Sequence, residues 1–264
     1  MNSLAAVAVV LVEPAGPRNV GGVARAVANF RGDRLRLQLR LVAPRCDHLG
    51  QEARLMAVHA APLLEQARLF ASLPEALADC GRIVATSGRG AGEPMAPQDP
   101  DGALGWLLGA PAEAATAVVF GREDRGLSRD ELLLAGRLLQ IDTGADYGSL
   151  NLAQAVAVVL SRLRVQATAA AAGTPADPPS PNAGGPGPRE PARRQGLEDL
   201  LADAEALLLE VGFLHPHTAH ARMAKVRGLL QRGQVDDGEV ALLRGMVRQL
   251  RWASQRLPRR DQTP

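Results

Sequence analysis

The sequence contains very little lysine and few aromatic residues. Lys225 is the only lysine among 30 basic residues, and phenylalanine, tryptophan and tyrosine together make up 3% of the chain. Alanine, glycine and proline are abundant instead, which indicates a GC-rich genome, so arginine abundance by itself carries no functional weight. The formal net charge of +2 neither predicts nor excludes a nucleic-acid partner.

Cysteine is scarce as well, and long apolar runs are absent. Cys46 and Cys80 are too few for a disulfide framework, and their spacing matches no zinc site. The apolar run from Leu4 to Val12 has no basic segment before it, no cleavage site after it, and far fewer than the roughly 20 residues that cross a bilayer. We therefore expect a reduced cytoplasmic protein without a bound metal or a membrane partner.

The first 166 residues alternate apolar runs of strand length with helical segments. The continuous run Ala6–Glu13 is typical of a parallel strand that is covered on both faces. Alternation of this kind predicts an α/β domain with a mostly parallel sheet and helices on both faces. The further predicted strands are Leu35–Leu41, Arg82–Ser87, Ala114–Gly121 and Leu138–Asp142, and the predicted helices are Asn19–Phe30, Ala53–Ala60, Leu73–Ala78 and Leu150–Val165.

The composition changes after this domain. Residues 167–194 are rich in alanine, proline, glycine and serine, and such a segment buries too little apolar surface to offset its ordering entropy. We interpret it as a flexible linker. Residues 195–264 then predict a small all-α domain with helices at Leu197–Val211, Thr218–Gln231 and Asp236–Arg256, the first of which ends at Gly212 as a C-cap.

The loop after the first strand enters a helix through the segment EPAGPRNVGGVARAVANF. Asn19 suits an N-cap, and Gly21 and Gly22 allow another segment or a ligand to approach the backbone closely. Ligands of open α/β sheets bind at the carboxyl ends of strands, where this loop lies. Arg25 follows on the helix, and by its position alone it is interpreted most simply as a solvated surface arginine.

Two later loops also combine glycine with polar residues. The segment VVFGREDRGLSRDEL has Ser128 and Glu131 in the spacing of a capping box, and turn geometry explains its glycines but not the Arg122–Glu123 pair between them. The segment YGSLN precedes a very apolar helix, and either Ser149 or Asn151 is suited to cap that helix.

The three motifs NVGGVARA, VFGREDRGL and YGSLNLAQAV, in this order and spacing, resemble those of the SpoU-type family within the SPOUT methyltransferases. The resemblance is closest to the TrmJ-type tRNA 2′-O-methyltransferases and covers nearly the whole chain. TSGR at Thr86–Arg89 is similar to their cofactor loop. The segments LEDLLADAEALLLEVGF, MAKVRGLLQR and LLRGMVRQL follow the order of their small C-terminal helical domain.

The resemblance implies a fold, a cofactor and a substrate. The α/β domain is expected to end in a trefoil knot that holds S-adenosylmethionine, in a homodimer whose active site is shared between subunits. The implied reaction is 2′-O-methylation of cytidine or uridine at position 32 of the tRNA anticodon loop. An rRNA substrate and a non-catalytic RNA-binding module are the alternatives. The implied cofactor-binding residues are Thr86, Ser87, Gly88, Gly121, Ile141, Gly148, Ser149 and Leu150.

The polar motif positions of the family correspond to Asn19, Arg25, Glu123, Ser149 and Asn151, which are the candidate catalytic residues. The resemblance assigns catalysis to Arg25. An arginine rarely gives up its proton, because its pKa exceeds about 12. We therefore favour Arg25 as an electrostatic stabiliser of the forming alkoxide and an anchor for RNA phosphate, with Ser149 orienting the hydroxyl. A general-base role for Arg25 stays open.

Two features of the helical domain have more than one interpretation. His215, His217 and His220 are possible metal ligands, although the start of a helix explains the segment and no carboxylate or cysteine is near in sequence. Arg244, Arg248 and Arg251 recur on one face of the last helix. Their stripe is either a solvated face or a contact with the tRNA backbone.

Overall fold

The computed structural model describes residues 5–88, 93–111, 114–144, 148–171 and 190–256. The chain divides into two compact units, residues 1–188 and 189–264. The TSGR motif extends to Arg89 and the third motif includes Tyr147, and both of these residues lie outside the described ranges, as do residues 172–189 of the predicted linker.

The first unit is built on a six-stranded sheet in the order β3-β2-β1-β5-β4-β6. All five strand pairings are parallel, which confirms the predicted sheet. Strand β3 was not predicted, because this three-residue edge strand is largely exposed and shows no apolar run. The strands are β1 Ala5–Val12, β2 Leu35–Val42, β3 Arg68–Phe70, β4 Cys80–Ser87, β5 Ala115–Phe120 and β6 Arg137–Gln140.

Helices cover both faces of this sheet. Alternate residues of β1 belong to two separate apolar cores, with Val9 in one and Val10 in the other. Because both sets are apolar, the strand shows a continuous apolar run instead of an alternating pattern. The helices are α1 Pro17–Phe30, α2 Gln51–Ala57, α3 Ala61–Glu65, α4 Leu73–Leu77, α5 Pro100–Leu108, α6 Arg129–Leu132 and α7 Leu152–Ala171.

Helix α1 packs closely against α2 and α7 through two glycines. A Cβ atom at Gly21 would lie 2.1 Å from the Ala53 carbonyl oxygen, and one at Gly22 would lie 2.9 Å from the Ala153 Cβ. Both glycines are therefore needed for helix packing. The prediction that Asn19 is the N-cap is wrong, because Pro17 occupies the first turn and Gly16 is the cap, which leaves the Asn19 side chain free for another contact.

Helix α7 runs five residues into the segment that was predicted as linker. It ends at Ala171, and residues 167–171 continue it because four of the five are alanine, the strongest helix former. No helix in the ranges that the structure describes is long and apolar enough to cross a membrane.

Within residues 190–256, the second unit forms three helices, α8 Arg194–Glu210, α9 Pro216–Arg232 and α10 Asp237–Arg256. Their apolar faces enclose a core that includes Leu200, Met223 and Val240. Gly212 follows α8 with a φ of +76°, as a residue that ends a helix in the left-handed conformation requires. The predicted all-α organisation is confirmed.

Two of the three arginines of the predicted stripe form ion pairs with carboxylates of α8. The Arg244 guanidinium lies 3.0 Å from the Asp203 carboxylate of α8, and Arg251 lies 3.5 Å from that of Glu210. Arg248 is exposed. Arg244 and Arg251 thus pair with carboxylates of the same unit, and a contact of the stripe with the tRNA backbone stays a prediction. The rings of His215 and His217 stack at 5.8 Å.

Candidate functional site

The carboxyl ends of β4, β5 and β6 surround one cavity. Because these strands are neighbours in the sheet, the loops that follow them meet at the same edge, where ligands of open α/β sheets bind. The cavity has a volume of about 410 Å³. Its lining includes all eight residues that the sequence analysis assigned to the cofactor, namely Thr86, Ser87, Gly88, Gly121, Ile141, Gly148, Ser149 and Leu150.

Short contacts within and between the strand ends shape this cavity. The Thr86 hydroxyl donates a hydrogen bond to the Val119 carbonyl, 3.1 Å away, which ties the end of β4 to β5. The Thr143 hydroxyl donates to the Gly148 carbonyl at 3.1 Å. A Cβ atom at Gly121 would lie 2.3 Å from the Gly126 carbonyl carbon, so only glycine allows the tight turn between them.

Arg122 fixes the loop after β5 to its surroundings. Its guanidinium donates two hydrogen bonds to the Glu131 carboxylate, at 2.8 and 2.9 Å, and a further one to Glu13 at the end of β1. The hydrogen bond from Arg122 lowers the pKa of Glu13, so that this carboxylate stays ionised. Glu131 also closes the predicted capping box with Ser128, which is confirmed. Arg122 therefore has a structural role.

Glu123 connects the loop after β5 to the loop after β1. Its carboxylate accepts hydrogen bonds from the backbone N–H groups of Ala15 and Gly16, both at 3.1 Å, and from Asn19 Nδ2 at 2.9 Å. Burial acts to raise the pKa of Glu123, but the hydrogen bonds from Asn19 and the two backbone groups outweigh it and leave the pKa below its ordinary value. The carboxylate is therefore ionised at neutral pH.

Asn19 extends this connection to the third motif. Its Oδ1 accepts a hydrogen bond from Asn151 Nδ2 at 2.8 Å. The Asn151 Oδ1 in turn accepts from the Ala153 backbone N–H at 2.9 Å, so Asn151 caps α7. Of the two predicted caps, Asn151 serves this purpose, and Ser149 lines the cavity instead. We call the side chains of Glu123, Asn19 and Asn151 the motif bridge, because they join all three motifs.

Arg25 lies apart from the cavity. It is exposed on α1 and follows Asn19 by six residues, which is a rise of about 9 Å along the helix axis. It is not among the residues that line the cavity. Within the described ranges it makes no hydrogen bond or ion pair. The five candidate catalytic residues are thus divided among the cavity wall (Glu123 and Ser149), the rest of the motif bridge (Asn19 and Asn151) and an outer helix face (Arg25).

Two acidic residues of this region were not among the predicted site residues. Glu13 is the partner of Arg122 across 109 positions of sequence, and such a contact leaves no local pattern. Glu93 lines the cavity from the segment after β4. Its neighbours in sequence show no motif, so only the folded chain reveals its place.

Family models match both units of the chain. Residues 6–161 match the model of the "SpoU rRNA Methylase family", and residues 195–262 match the model of the "tRNA methyltransferase TrmJ, C-terminal domain". The first match covers more than half of the chain and contains all three motifs. The second covers the three helices α8, α9 and α10 almost completely.

Named relatives and solved structures agree with these models. The chain is 32% identical to a tRNA (cytidine/uridine-2′-O-)-methyltransferase TrmJ of Cronobacter sakazakii, over 90% of this chain and 93% of that protein. It is 33% identical to a tRNA (cytidine/uridine/adenosine-2′-O-)-methyltransferase TrmJ of Pseudomonas aeruginosa, over 90% and 91%. The crystal structure of TrmJ from Z. mobilis superposes with a TM-score of 0.75 at 30% identity and covers 92% of this chain and 98% of that one. The chain therefore belongs to the SpoU methylase family and, within it, to the TrmJ-type RNA methyltransferases.

Proposed function

We propose that this protein transfers a methyl group from S-adenosylmethionine to a ribose 2′-hydroxyl of tRNA, at cytidine or uridine 32 of the anticodon loop. The observation that carries the proposal is the cavity at the carboxyl ends of β4, β5 and β6, whose wall contains all eight expected cofactor residues. The match of residues 195–262 to the TrmJ C-terminal domain and the similarity to tRNA methyltransferases support tRNA as the substrate in preference to rRNA. The nucleotide position follows from the family resemblance.

The cavity fits S-adenosylmethionine in size and in the nature of its wall. A volume of about 410 Å³ lies within the range of pockets that hold a ligand of this size. At Gly88 an added Cβ would meet no atom within 4 Å, so the glycine leaves open space beside the backbone. Backbone amides and carbonyls of the three loops would hold the adenine and the ribose. When bound, the cofactor supplies an electrophilic methyl group on a sulfonium.

The motif bridge positions the reacting groups and does not itself remove a proton. Since the pKa of Glu123 is lowered, its carboxylate is a weak base at neutral pH. The three groups that donate hydrogen bonds to it all belong to the loop and helix of the first motif. Its role is to hold that loop against the cavity. Ser149 lies in the cavity wall, and in this proposal its hydroxyl orients the ribose hydroxyl.

The position of Arg25 supports a site that is shared between two subunits. Arg25 is exposed and lies outside the cavity of its own chain. In a homodimer with two-fold symmetry, α1 of one subunit is able to present Arg25 to the cavity of the other. There the guanidinium would stabilise the developing charge on the 2′-oxygen and contact the neighbouring phosphate.

Mixing two inactive variants tests this shared site. Arg25→Ala is expected to keep cofactor affinity and lose methyl transfer, and Ser149→Ala is expected to lose methyl transfer in the cavity of its own chain. Random assembly of equal amounts restores one intact site in half of the dimers, which is about a quarter of the wild-type activity. An inactive mixture, with mixed dimers shown to form, would contradict the shared site.

The proposed reaction itself is tested with labelled cofactor. Purified protein is incubated with S-adenosylmethionine carrying a labelled methyl group and, separately, with tRNA and rRNA pools. We expect label in tRNA and none in rRNA. Label only in rRNA would establish the alternative substrate, and label in neither pool would favour the RNA-binding module without catalysis.

A further inference from the structure

The carboxylate of Glu93 is the one acidic group of the cavity wall whose buried oxygen has no partner among the described residues. Its Oε2 atom is removed from solvent and accepts no hydrogen bond. Such an atom costs free energy, because burial takes away the bonds that water would supply. An orphaned acceptor in a ligand cavity is explained when the ligand brings the missing donor.

The other acidic residues near the cavity do not share this property. Glu123 accepts three hydrogen bonds within the motif bridge, and Glu131, which lies behind the second loop, is paired with Arg122. Asp124 lines the cavity but is exposed to solvent. Glu93 is therefore distinguished by a buried carboxylate oxygen without a partner, and not by negative charge alone.

The electrostatic surroundings of Glu93 point in the same direction. Burial raises the pKa of Glu93, and no charged group of the described residues offsets this effect. Arg125 and Arg129 also line the cavity, but neither is hydrogen-bonded to Glu93 Oε2. A cation with N–H donors would therefore form a strong hydrogen bond with this carboxylate, since a charge-assisted hydrogen bond is stronger where water is excluded.

We infer that Glu93 binds the α-ammonium group of the methionine moiety of the cofactor and thereby selects ligands that carry an intact amino acid. This inference rests on the proposed function, because it takes S-adenosylmethionine as the occupant of the cavity. The α-ammonium is preferred to the sulfonium because the orphaned oxygen lacks a hydrogen-bond donor, and the sulfonium has no N–H or O–H. Glu93 acts in binding and specificity and takes no part in methyl transfer.

Calorimetric titration of three ligands tests the inference on wild-type protein and on Glu93→Gln. S-adenosylhomocysteine and S-adenosylmethionine both carry the α-ammonium, and 5′-methylthioadenosine lacks the amino-acid part. We expect Glu93→Gln to weaken both amino-acid ligands by about tenfold, as for loss of one charge-assisted hydrogen bond, and to leave 5′-methylthioadenosine unchanged. Asp124→Asn removes the same charge from the same cavity wall and is expected to change none of the three affinities.

The outcomes separate this inference from the proposed function. Equal affinities in wild type and Glu93→Gln would overturn it, as would a loss shared by all three ligands or by Asp124→Asn. Weakening of S-adenosylmethionine alone would assign Glu93 to the sulfonium and also overturn it. If the wild-type protein bound neither S-adenosylmethionine nor S-adenosylhomocysteine, the proposed cofactor would be wrong. If the wild-type protein and Glu93→Gln bound both ligands with the same high affinity, the cofactor assignment would stand and only the role of Glu93 would be removed.

Discussion

The motif bridge makes a quantitative prediction for the substitution Glu123→Ala. The alanine leaves the N–H groups of Ala15 and Gly16 and the Asn19 amide without their shared acceptor. Hydrogen bonds to a charged group are worth about 1.5–3 kcal/mol each when buried. The Glu123 side chain is exposed, and water replaces part of what is lost, so we expect a total loss of about 1–3 kcal/mol.

Urea denaturation of wild type, Glu123→Ala and Asp124→Ala measures this loss. Asp124 is the matched control, because it is the next residue in the same loop, carries the same charge and is exposed. We expect the control to lie within about 0.5 kcal/mol of wild type, as surface substitutions usually do. If Glu123→Ala were as stable as Asp124→Ala, the contacts of the motif bridge would contribute nothing and the reasoning would be refuted.

Three further predictions concern the stability of substituted proteins. The pKa of Glu123 in the folded state lies below its ordinary value of 4.5. Wild type should therefore be more stable than Glu123→Gln by a full margin above pH 4.5, and this margin should vanish as the pH falls through the folded-state pKa. Denaturation at several pH values measures the margin, and a margin that does not change with pH would contradict the prediction. Gly121→Ala should destabilise the first unit by more than about 2 kcal/mol, because its methyl group would overlap the backbone of Gly126, and a melting curve that matches wild type would refute the tight turn. Gly245→Ala should stabilise α10 by about 0.5–1 kcal/mol, because alanine favours the helix and the added methyl group meets no atom within 4 Å. Calorimetry measures the change, and a lower melting temperature than that of wild type would contradict the prediction.

The sheet was predictable from the sequence because its strands are covered on both faces. A continuous apolar run such as that of β1 predicts a strand even when the neighbouring strands are not known. The edge strand at Arg68–Phe70 was missed because it is short and exposed. Helix ends were less predictable than strands. Asn19 is a good capping residue by type, but α1 begins earlier, at Pro17, so Gly16 is its N-cap.

The site was predictable in its loops and not in its connections. Glycine turns and the capping box at Ser128 leave local patterns, and these placed the three loops. The contacts of Glu123 with Asn19, and of Arg122 with Glu13, span more than 100 residues and leave no pattern of spacing. Burial of a single carboxylate oxygen, as at Glu93, is likewise visible only when the segments around it have been brought together.

Nucleoside analysis of methylated tRNA tests the central claim most directly. Labelled tRNA from the wild-type reaction is digested to nucleosides, and the position of the labelled nucleotide is mapped in the intact molecule. The account predicts that the label is on the ribose, as 2′-O-methylcytidine or 2′-O-methyluridine from the anticodon loop, and that Arg25→Ala yields almost none. Label on a base, or full methylation by Arg25→Ala, would contradict it.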